Sequence, residues 1–396
     1  MSTKIIITKY RNHLISAIYD GKDLVQANVV EPEEQNILGN IYIGKVDNIV
    51  KNINAAFIEI AKGVKCYFSL EENKNPIFTK SNNSTKVKIG DELIVQVSKE
   101  AIKTKAPVVT SNFNLLGKYM ILIHGRPGVG ISTKITSEEI KTKLKELLKP
   151  FHNEEYGFIV RTNAQDATDE LILKDINNLV EKYNHIREYE IHKTRFTLIH
   201  QEVPNYVKDI RDNLSGSIDE IITDEPAIYD YMKDYLKEHQ PEDSHKLRFY
   251  DDPMISLTNL YSLQHKLDQA TKPHVWLKSG ASLVIQPTEA LTVIDVNTEK
   301  AIAGRKNTQD TFLKINLEAA VEIARQIRLR NLTGIIIIDF IDMEDDSNKE
   351  TLMKQLERLL RMDPIKTVLV DMTALGLVEI TRKKVKKPLH EQLANN

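Results

Sequence analysis

Two apolar runs near the end of the chain both finish on acids: 291-LTVIDVN-297 and 335-IIIIDFID-342. Asp295 and Asp339 are 44 positions apart, and residues 308–330 between them carry an apolar stripe at helical spacing. The stripe consists of Ile315, Ala319, Ile323 and Ile327. The segment is therefore predicted to form a strand, a helix and a strand. Because such a crossover usually makes its two strands parallel neighbours, we expect both acids at the carboxyl ends of a sheet, where open α/β sheets bind ligands.

The side chains at these strand ends are those of a cation site. Asp295 and Asn297 are two positions apart on an extended strand, so they lie on the same face. Neighbouring carboxylates repel each other unless a cation joins them, and a cluster of oxygen ligands favours Mg²⁺ or Mn²⁺. Two other interpretations stay open from the pattern alone. An acid after a strand often caps the next helix, as predicted for Asp342, Asp345 and Asp346, and a carboxylate pair also serves glycosidases.

Composition limits the classes of protein that fit. With 396 residues and 41% hydrophobic content, the chain is expected to fold as several domains. The net charge of −2 means that an anionic partner must be held by local basic patches. Cys66 is the only cysteine, which excludes an internal disulfide and favours a packing role. The start has no apolar signal region and no window is long and apolar enough for a membrane span, so a soluble, cytoplasmic protein with no membrane span is expected.

The order of short strand and helix patterns divides the chain. The first 30 residues alternate and turn at Asp20-Gly21, which predicts a hairpin or meander. Residues 36–117 hold several short strand patterns and suggest a small β-barrel. Residues 118–204 mix strands with two helices, 205–270 look helical with short strands, and 275 onward gives two strands, a long helix and a further strand. The predicted fold class is multidomain, part α/β and part all-β.

Three further features of the sequence carry less information. The run 125-GRPGVGIS-132 has the glycine spacing of a nucleotide-binding P-loop, but Ile131 stands where that motif needs Lys, so we interpret it as a tight loop. The histidines show no metal-binding spacing. The basic run 382-RKKVKK-387 contacts RNA phosphates or forms a solvated tail, and the pattern does not separate the two.

Three long stretches resemble the ribonuclease E/G family of bacterial endoribonucleases: ALTVIDVNTEKA, FLKINLEAAVEIARQIRLRNLTGIIIIDFIDM and GLVEITRKKV. The resemblance extends over nearly the whole chain. It implies that Asp295 and Asp339 bind the metal and that Asn297 is an accessory residue. The resemblance further implies four parts: a ribonuclease H-like part at 1–35 and 205–270, an S1-type RNA-binding OB barrel at 36–117, a sensor of the RNA 5′ end at 118–204, and a deoxyribonuclease I-like catalytic part at 271–396.

The resemblance also implies an RNA-binding surface on the barrel. Phe57 and Tyr67 match the family's aromatic positions, the second being a Phe in familiar members, and Lys99 and Lys105 match its basic positions. Aromatic faces stack on bases while nearby cations hold the phosphates. Without the family, the alternating strand around Phe57 would favour a core position for this ring. The resemblance reverses that expectation.

In the third part, the resemblance implies a pocket for a 5′-monophosphate. The matching positions are Gly117 and Ile121 in 117-GKYMI-121, and Arg161 and Thr162. Arg161 suits phosphate oxygens through its forked donors, and Thr162 adds a hydroxyl donor. Backbone groups of Gly117 and Ile121 are expected to complete the pocket. Without the family, Arg161 is a surface arginine at a strand end.

The activity implied by the resemblance is Mg²⁺-dependent endonucleolytic cleavage of single-stranded RNA in RNA processing and decay, including rRNA maturation and mRNA turnover. A preference for 5′-monophosphorylated ends and products with 5′-phosphate and 3′-hydroxyl ends are also implied. One alternative is a non-catalytic RNA-binding protein that keeps the barrel, which intact acids argue against. A carbohydrate-active enzyme using the acid pair is a third reading, and it leaves the barrel and the sensor without a role.

The end of the chain gives one further expectation. Family members commonly carry a C-P-x-C motif after the catalytic part, through which two chains share a zinc ion. This sequence ends in KKPLHEQLANN, and its only cysteine lies in the barrel segment. Because such a zinc site needs four thiolates, we expect no structural zinc and a monomer or dimer rather than a zinc-linked tetramer.

Overall fold

The structure is a computed structural model that describes residues 2–30, 37–80, 86–101, 106–213, 218–299 and 308–394. The chain divides into two compact units. Unit 1 comprises Met1–Glu31 and Asn205–Asn396, and unit 2 comprises Pro32–Pro204. Among the described residues, no helix is long and apolar enough to cross a membrane.

The first sheet of unit 1 joins two distant segments of the chain. It contains β1 (Thr3–Tyr10), β2 (His13–Asp20), β3 (Asp23–Val30), β14 (Ile218–Thr223) and β15 (Leu247–Phe249) in the order β15-β14-β1-β2-β3. Its helices are α3 (Asn205–Arg211), α4 (Pro226–His239), α5 (Leu257–Leu260) and α6 (Leu263–Ala270). The predicted meander is confirmed, and Gly21 adopts a φ of 57° in its turn. The two segments therefore share one sheet, while the ribonuclease H-like assignment of this part stays a prediction.

Unit 2 begins with a closed barrel. Its strands are β4 (Ile41–Val50), β5 (Ala55–Ala61), β6 (Val64–Ser69), β7 (Glu92–Lys99) and β8 (Val108–Thr110). They follow the order β4-β5-β6-β8-β7, and β7 pairs back onto β4, which closes the sheet. A further short strand, β13 (Leu198–His200), pairs with β4. The predicted small barrel is confirmed, and its five-strand closure is consistent with an OB-like fold. The S1-type assignment stays a prediction.

A second sheet of unit 2 carries two helices. It contains β9 (Asn114–Leu116), β10 (Met120–His124), β11 (Gly128–Ile131) and β12 (Tyr156–Val160) in the order β11-β12-β10-β9. The helices are α1 (Glu138–Leu148) and α2 (Asp169–Glu188). The run at 125–132, which the sequence predicts as a tight loop, is partly the strand β11, paired parallel with β12. The close pairing depends on Gly157, because a Cβ there would lie 2.3 Å from the carbonyl oxygens of Arg126 and Gly128.

The second sheet of unit 1 contains both acid-ended runs. Its strands are β16 (His274–Trp276), β17 (Ser282–Pro287), β18 (Leu291–Asn297), β19 (Gly334–Asp339), β20 (Thr367–Met372) and β21 (Leu377–Arg382), in the order β16-β17-β18-β19-β21-β20. The helices are α7 (Thr308–Leu329), α8 (Asp346–Arg361) and α9 (Leu389–Ala394). The predicted stripe of α7 is confirmed, since Ile315, Ala319, Ile323 and Ile327 are buried in the core between α7, α8 and this sheet.

Short 3₁₀ turns connect several elements: Lys51–Ile53, Lys149–Phe151, Thr162–Asp166, Glu190–His192 and Pro241–Lys246.

The basic run at 382–387 begins with a buried residue. Arg382 is 4% exposed, and its Nε donates a hydrogen bond of 2.7 Å to Asp363. The prediction of an RNA contact or a solvated tail is therefore wrong for Arg382. The acid that pairs with it is 19 positions away in sequence, and the pattern of the basic run alone does not show it.

Candidate metal centre and RNA-binding residues

The two predicted metal-binding acids are neighbours. Strands β18 and β19 pair in parallel, with Asp295 directly opposite Asp339. The predicted strand-helix-strand crossover is thereby confirmed, because α7 connects two adjacent parallel strands. Both acids lie at the carboxyl ends of their strands.

Alternation along the strands decides which face carries the acids. Ile294 and Val296 of β18 and Ile338 of β19 are buried in the core formed with α7 and α8. Side chains alternate between the faces of a sheet, so Asp295 and Asp339 lie on the opposite face. Asp295 is half-buried and Asp339 is exposed. The apolar residues of the two runs thus anchor the sheet, and the acids face outward at its end.

Asn297 is in contact with the first acid. Its Nδ2 donates a hydrogen bond of 2.7 Å to Oδ2 of Asp295. The predicted shared face of these two side chains is confirmed. The amide limits the rotation of the carboxylate, which favours one orientation of its oxygens.

The electrostatics at this end of the sheet favour a cation. Burial raises the pKa of Asp339 above its usual value, and the negative charges of Asp295 and Asp342 raise it further. Like charges at close range disfavour ionisation of both carboxyl groups, and a bound cation removes that penalty. The acids and the amide of Asn297 are oxygen donors of the type that Mg²⁺ prefers. The residues present therefore fit a hard divalent cation that completes its shell with water or phosphate oxygens.

A third acid lies near this pair. The sequence predicts Asp342, Asp345 and Asp346 as cap or turn residues, and Asp345 is confirmed as the N-cap of α8, accepting a hydrogen bond from the N–H of Ser347. Asp342 instead acts on Asp339 through its charge. The short spacing of Asp339 and Asp342 in the sequence IDFID could have indicated this interaction. Within the described ranges, no group of three or more His, Cys, Asp or Glu side chains has a metal-binding arrangement, so Asp342 does not complete a three-acid cluster.

The barrel presents an aromatic pair on its surface. Phe57 of β5 lies opposite Tyr67 of β6, with ring centroids 6.3 Å apart and edge-to-face geometry. Both rings are half-buried, whereas their strand neighbours Ile58, Cys66 and Phe68 are buried in the barrel core. The outward position of Phe57 therefore agrees with the resemblance rather than with the core interpretation from alternation.

The other predicted barrel residues divide into two cases. Lys99 is exposed at the end of β7. Lys105 lies outside the described residues.

Cys66 is buried in the barrel core, and burial raises the pKa of its thiol to about 11. A thiol with this pKa is almost entirely protonated near pH 7, which agrees with the packing role that the sequence predicts.

The predicted sensor residues converge beside β10. Arg161 follows β12, and its Nη1 donates a hydrogen bond of 2.6 Å to the carbonyl oxygen of Gly117. The hydroxyl of Thr162 is 2.9 Å from that of Ser132. Ile121 is half-buried in the central strand β10. The structure thus brings Gly117, Arg161 and Thr162 together around one end of this sheet.

A carboxylate that the sequence analysis missed organises this region. Oδ2 of Asp175 in α2 accepts hydrogen bonds from the N–H groups of Tyr119 (2.8 Å) and Met120 (3.0 Å). Burial raises the pKa of Asp175, while these bonds and the charge of Arg161 oppose the rise. A Cβ at Gly117 would lie 2.3 Å from Oδ2 of Asp175, so only glycine allows this approach. Gly117 in the sequence GKYM is the feature that could have indicated that another group approaches the backbone closely here.

Comparison with known proteins agrees with the family resemblance that the sequence shows. A model of the ribonuclease E/G family matches residues 114–385. Ribonuclease G of Escherichia coli (strain K12) is 32% identical over 408 residues, covering 100% of this chain and 82% of that protein. Ribonuclease G of Salmonella typhimurium is 31% identical over 406 residues, covering 100% of this chain and 82% of that protein. Ribonuclease E of a Synechocystis strain is 33% identical over 402 residues, covering 99% of this chain and 58% of that protein. On this evidence the chain belongs to the ribonuclease E/G family.

Proposed function

We propose that this protein is a Mg²⁺-dependent endoribonuclease that cleaves single-stranded RNA. One observation carries the proposal: in a chain that belongs to the ribonuclease E/G family, Asp295 and Asp339 lie side by side at the ends of two parallel strands. The relatives are named as ribonucleases, which supports the same activity here. The proposed products carry 5′-phosphate and 3′-hydroxyl ends. The proposed setting is RNA processing and decay in the cytoplasm, including rRNA maturation and mRNA turnover.

In this mechanism Asp295 and Asp339 would hold Mg²⁺, with Mn²⁺ as a substitute. A divalent ion held there would offset negative charge on the scissile phosphate and favour ionisation of water. Asn297 keeps Asp295 in one orientation through its 2.7 Å hydrogen bond and has a second amide atom, Oδ1, for orienting the scissile group. Asp342 adds negative charge beside Asp339 and so increases the attraction for the cation.

The barrel is proposed to hold the RNA strand. Phe57 and Tyr67 offer neighbouring ring faces on its surface, and Lys99 offers an exposed ammonium group. Bases of any sequence stack on such rings, and lysines pair with phosphates, so this surface binds single strands with little sequence preference. Lys105 is proposed to add a second phosphate contact.

Arg161 and Thr162 are proposed to bind a 5′-monophosphate, with Gly117 and Ile121 beside them. Arg161 is positioned by its bond to the carbonyl of Gly117, and Thr162 by its contact with Ser132. Asp175 holds the backbone between Gly117 and Ile121 by accepting hydrogen bonds from the N–H groups of Tyr119 and Met120. A terminal monophosphate has oxygens that fit forked donors.

Cleavage of RNAs that differ only at the 5′ end tests the proposed function. A short A/U-rich RNA labelled at its 3′ end is incubated with Mg²⁺, once with a 5′-monophosphate and once with a 5′-triphosphate. We expect internal cleavage of both and faster cleavage of the monophosphorylated RNA. Binding without cleavage in Mg²⁺ or Mn²⁺ would show a non-catalytic RNA-binding protein instead.

The Arg161→Ala variant separates the sensor from the catalytic machinery. We expect it to reduce the rate difference between the two RNAs by on the order of tenfold, because an arginine that binds phosphate contributes a charge-assisted hydrogen bond. The rate on triphosphorylated RNA stays at the parent value. Arg126→Ala, at an exposed arginine near the opposite end of the same sheet, serves as the matched control. Equal slowing of both RNAs would assign Arg161 a structural role only.

Replacing Phe57 by leucine tests the aromatic surface. Leucine keeps an apolar side chain but removes the ring, so we expect affinity for single-stranded RNA to fall about tenfold through loss of one stacking contact. Fluorescence anisotropy with a labelled oligonucleotide in EDTA measures the affinity without cleavage. Far-UV circular dichroism and the melting temperature are expected to match the parent, since the ring is half-buried outside the barrel core. An unchanged affinity in a folded variant would remove Phe57 from the RNA-binding surface.

A further inference from the structure

A cavity of about 490 Å³ lies at one end of the second sheet of unit 1, remote from Asp295 and Asp339. It opens beside Pro287 and Leu332, next to the amino-terminal ends of β18 and β19. Its volume is in the range of small-molecule sites. Apolar walls come from Ile285, Pro287 and Leu332, and polar groups come from Gln286, Arg330 and His390. The cavity thus combines an apolar interior with a few polar groups.

Arg330 is buried without a complete set of partners. It is 6% exposed, and its Nε donates a hydrogen bond to Oε1 of Gln326. Its Nη2 is shielded from solvent and has no hydrogen-bond partner among the described residues. A buried donor of a charged group without a partner destabilises the folded state.

The nearby acid is occupied by other groups. Glu322 accepts hydrogen bonds from Arg325 and from the amide of Gln326. Within the part of the chain that the structure describes, no carboxylate forms a direct ion pair with Arg330. The guanidinium is therefore a buried positive charge that borders a cavity and has no bonded counterion. Arg330 is itself one of the residues that line the cavity, so a ligand there lies next to this charge.

We propose that this cavity binds a small phosphate monoester of the size of a nucleoside monophosphate. The phosphate pairs with Arg330, and the body of the ligand contacts Ile285, Pro287 and Leu332. The exposed amide of Gln286 and the exposed ring of His390 supply donors from other sides of the cavity. A monoester has three terminal oxygens for these three groups, whereas a carboxylate has two, so the donor set favours phosphate.

The cavity is distinct from the candidate metal centre. On β18, Asp295 lies four positions after Leu291, which is at the cavity end, and this corresponds to roughly 13 Å of extended strand. The same phosphate chemistry has two sources, a free mononucleotide or the phosphorylated end of an RNA chain. The binding experiment distinguishes them.

Calorimetric titration in EDTA tests the proposal, in a chain that carries Arg161→Ala so that the sensor pocket does not contribute. The ligands are adenosine and uridine 5′-monophosphates, the matching nucleosides, inorganic phosphate and a 5′-phosphorylated tetranucleotide. We expect both monophosphates to bind at least tenfold more tightly than their nucleosides. Equal affinity of the tetranucleotide assigns the site to RNA ends, and weaker binding assigns it to free nucleotides.

Substitutions locate the binding at this cavity. Arg330→Gln is expected to weaken monophosphate binding on the order of ten- to hundredfold, since a hydrogen bond to a charged group is lost. His390→Glu places a negative charge at an exposed position of the cavity wall and is expected to weaken binding about fivefold without affecting the fold. His265→Glu, at an exposed histidine that does not line the cavity, is the charge-matched control and leaves the affinity unchanged.

The His390→Glu variant keeps the test decisive if Arg330→Gln fails to fold. Parent-like affinity of the His390→Glu chain would overturn the proposal, as would equal binding of nucleosides and monophosphates. Benzoate and acetate are titrated in the same way as carboxylate controls, and an affinity equal to that of the monophosphates would overturn the choice of phosphate over carboxylate.

Discussion

Asp339→Asn is expected to lower the rate of RNA cleavage in Mg²⁺ on the order of 100- to 1000-fold, and Asp295→Asn is expected to do the same. Each substitution keeps the size of the side chain but removes one of the two charges that face each other across β18 and β19. RNA affinity is expected to stay near the parent value, because the proposed RNA-binding rings lie in unit 2. Single-turnover cleavage of a labelled RNA measures the rate, and anisotropy in EDTA measures the affinity.

Two further measurements make this prediction specific to a metal site. Asp371→Asn, at an exposed acid of strand β20 in the same sheet, is the charge-matched control and keeps the parent rate. The Asp295→Asn and Asp339→Asn variants are expected to need higher Mg²⁺ concentrations for half-maximal activity, since each loses an oxygen anion from the proposed site. Parent-like rates and Mg²⁺ dependence in either variant would refute the assignment of that acid.

The sequence predicts local pairing better than it predicts long-range partners. The stripe of α7 and the two apolar runs predict a strand-helix-strand crossover. Such a crossover usually makes its two strands parallel neighbours, which lets the apolar faces of the helix and the strands bury each other. The position of Asp295 opposite Asp339 then follows from the crossover. No comparable periodic signal predicts Asp175, which approaches Gly117 from a helix more than 50 positions away.

The aromatic pair shows a different limit. Alternation in β5 predicts that one face of the strand is buried. It does not show whether Phe57 or its neighbours Ala56 and Ile58 lie on that face. The barrel core takes Ala56 and Ile58 and leaves Phe57 outside. Here the family resemblance provides the information that periodicity lacks. For the acids, the residues themselves already predict the arrangement.

A second large effect is expected at a buried ion pair that the sequence did not reveal. Arg382 of β21 donates from Nε (2.7 Å) and Nη2 (3.2 Å) to the carboxylate of Asp363, which follows α8. Its Nη1 donates to Oδ1 of Asn331 and to the carbonyl of Leu332. Arg382 and Asp363 are 4% and 2% exposed. This network joins β21, in the second sheet of unit 1, to the segments that precede β19 and β20.

Asp363→Ala is expected to destabilise unit 1 by about 3 to 5 kcal/mol, because it leaves the Arg382 guanidinium buried without its counterion. Urea unfolding followed by the fluorescence of Trp276 measures the effect, since the only tryptophan of the chain lies on β16 of the same sheet. Glu357→Ala breaks the exposed pair between Glu357 and Arg361 on α8 and is expected to change stability by less than about 0.5 kcal/mol.

The double variant Asp363→Leu with Arg382→Met decides whether the buried charge is the cause. If the cost of Asp363→Ala comes from an unpaired guanidinium, removing both charges recovers much of the lost stability, since apolar pairs of similar volume often replace buried ion pairs at little cost. If the cost came from the bonds that Asp363 accepts from Thr367 and from the N–H of Ile365, the double variant would be no more stable than the single one. Recovery is the expected result, because both partners are almost fully buried and the charge of Arg382 has no other carboxylate among its described hydrogen bonds.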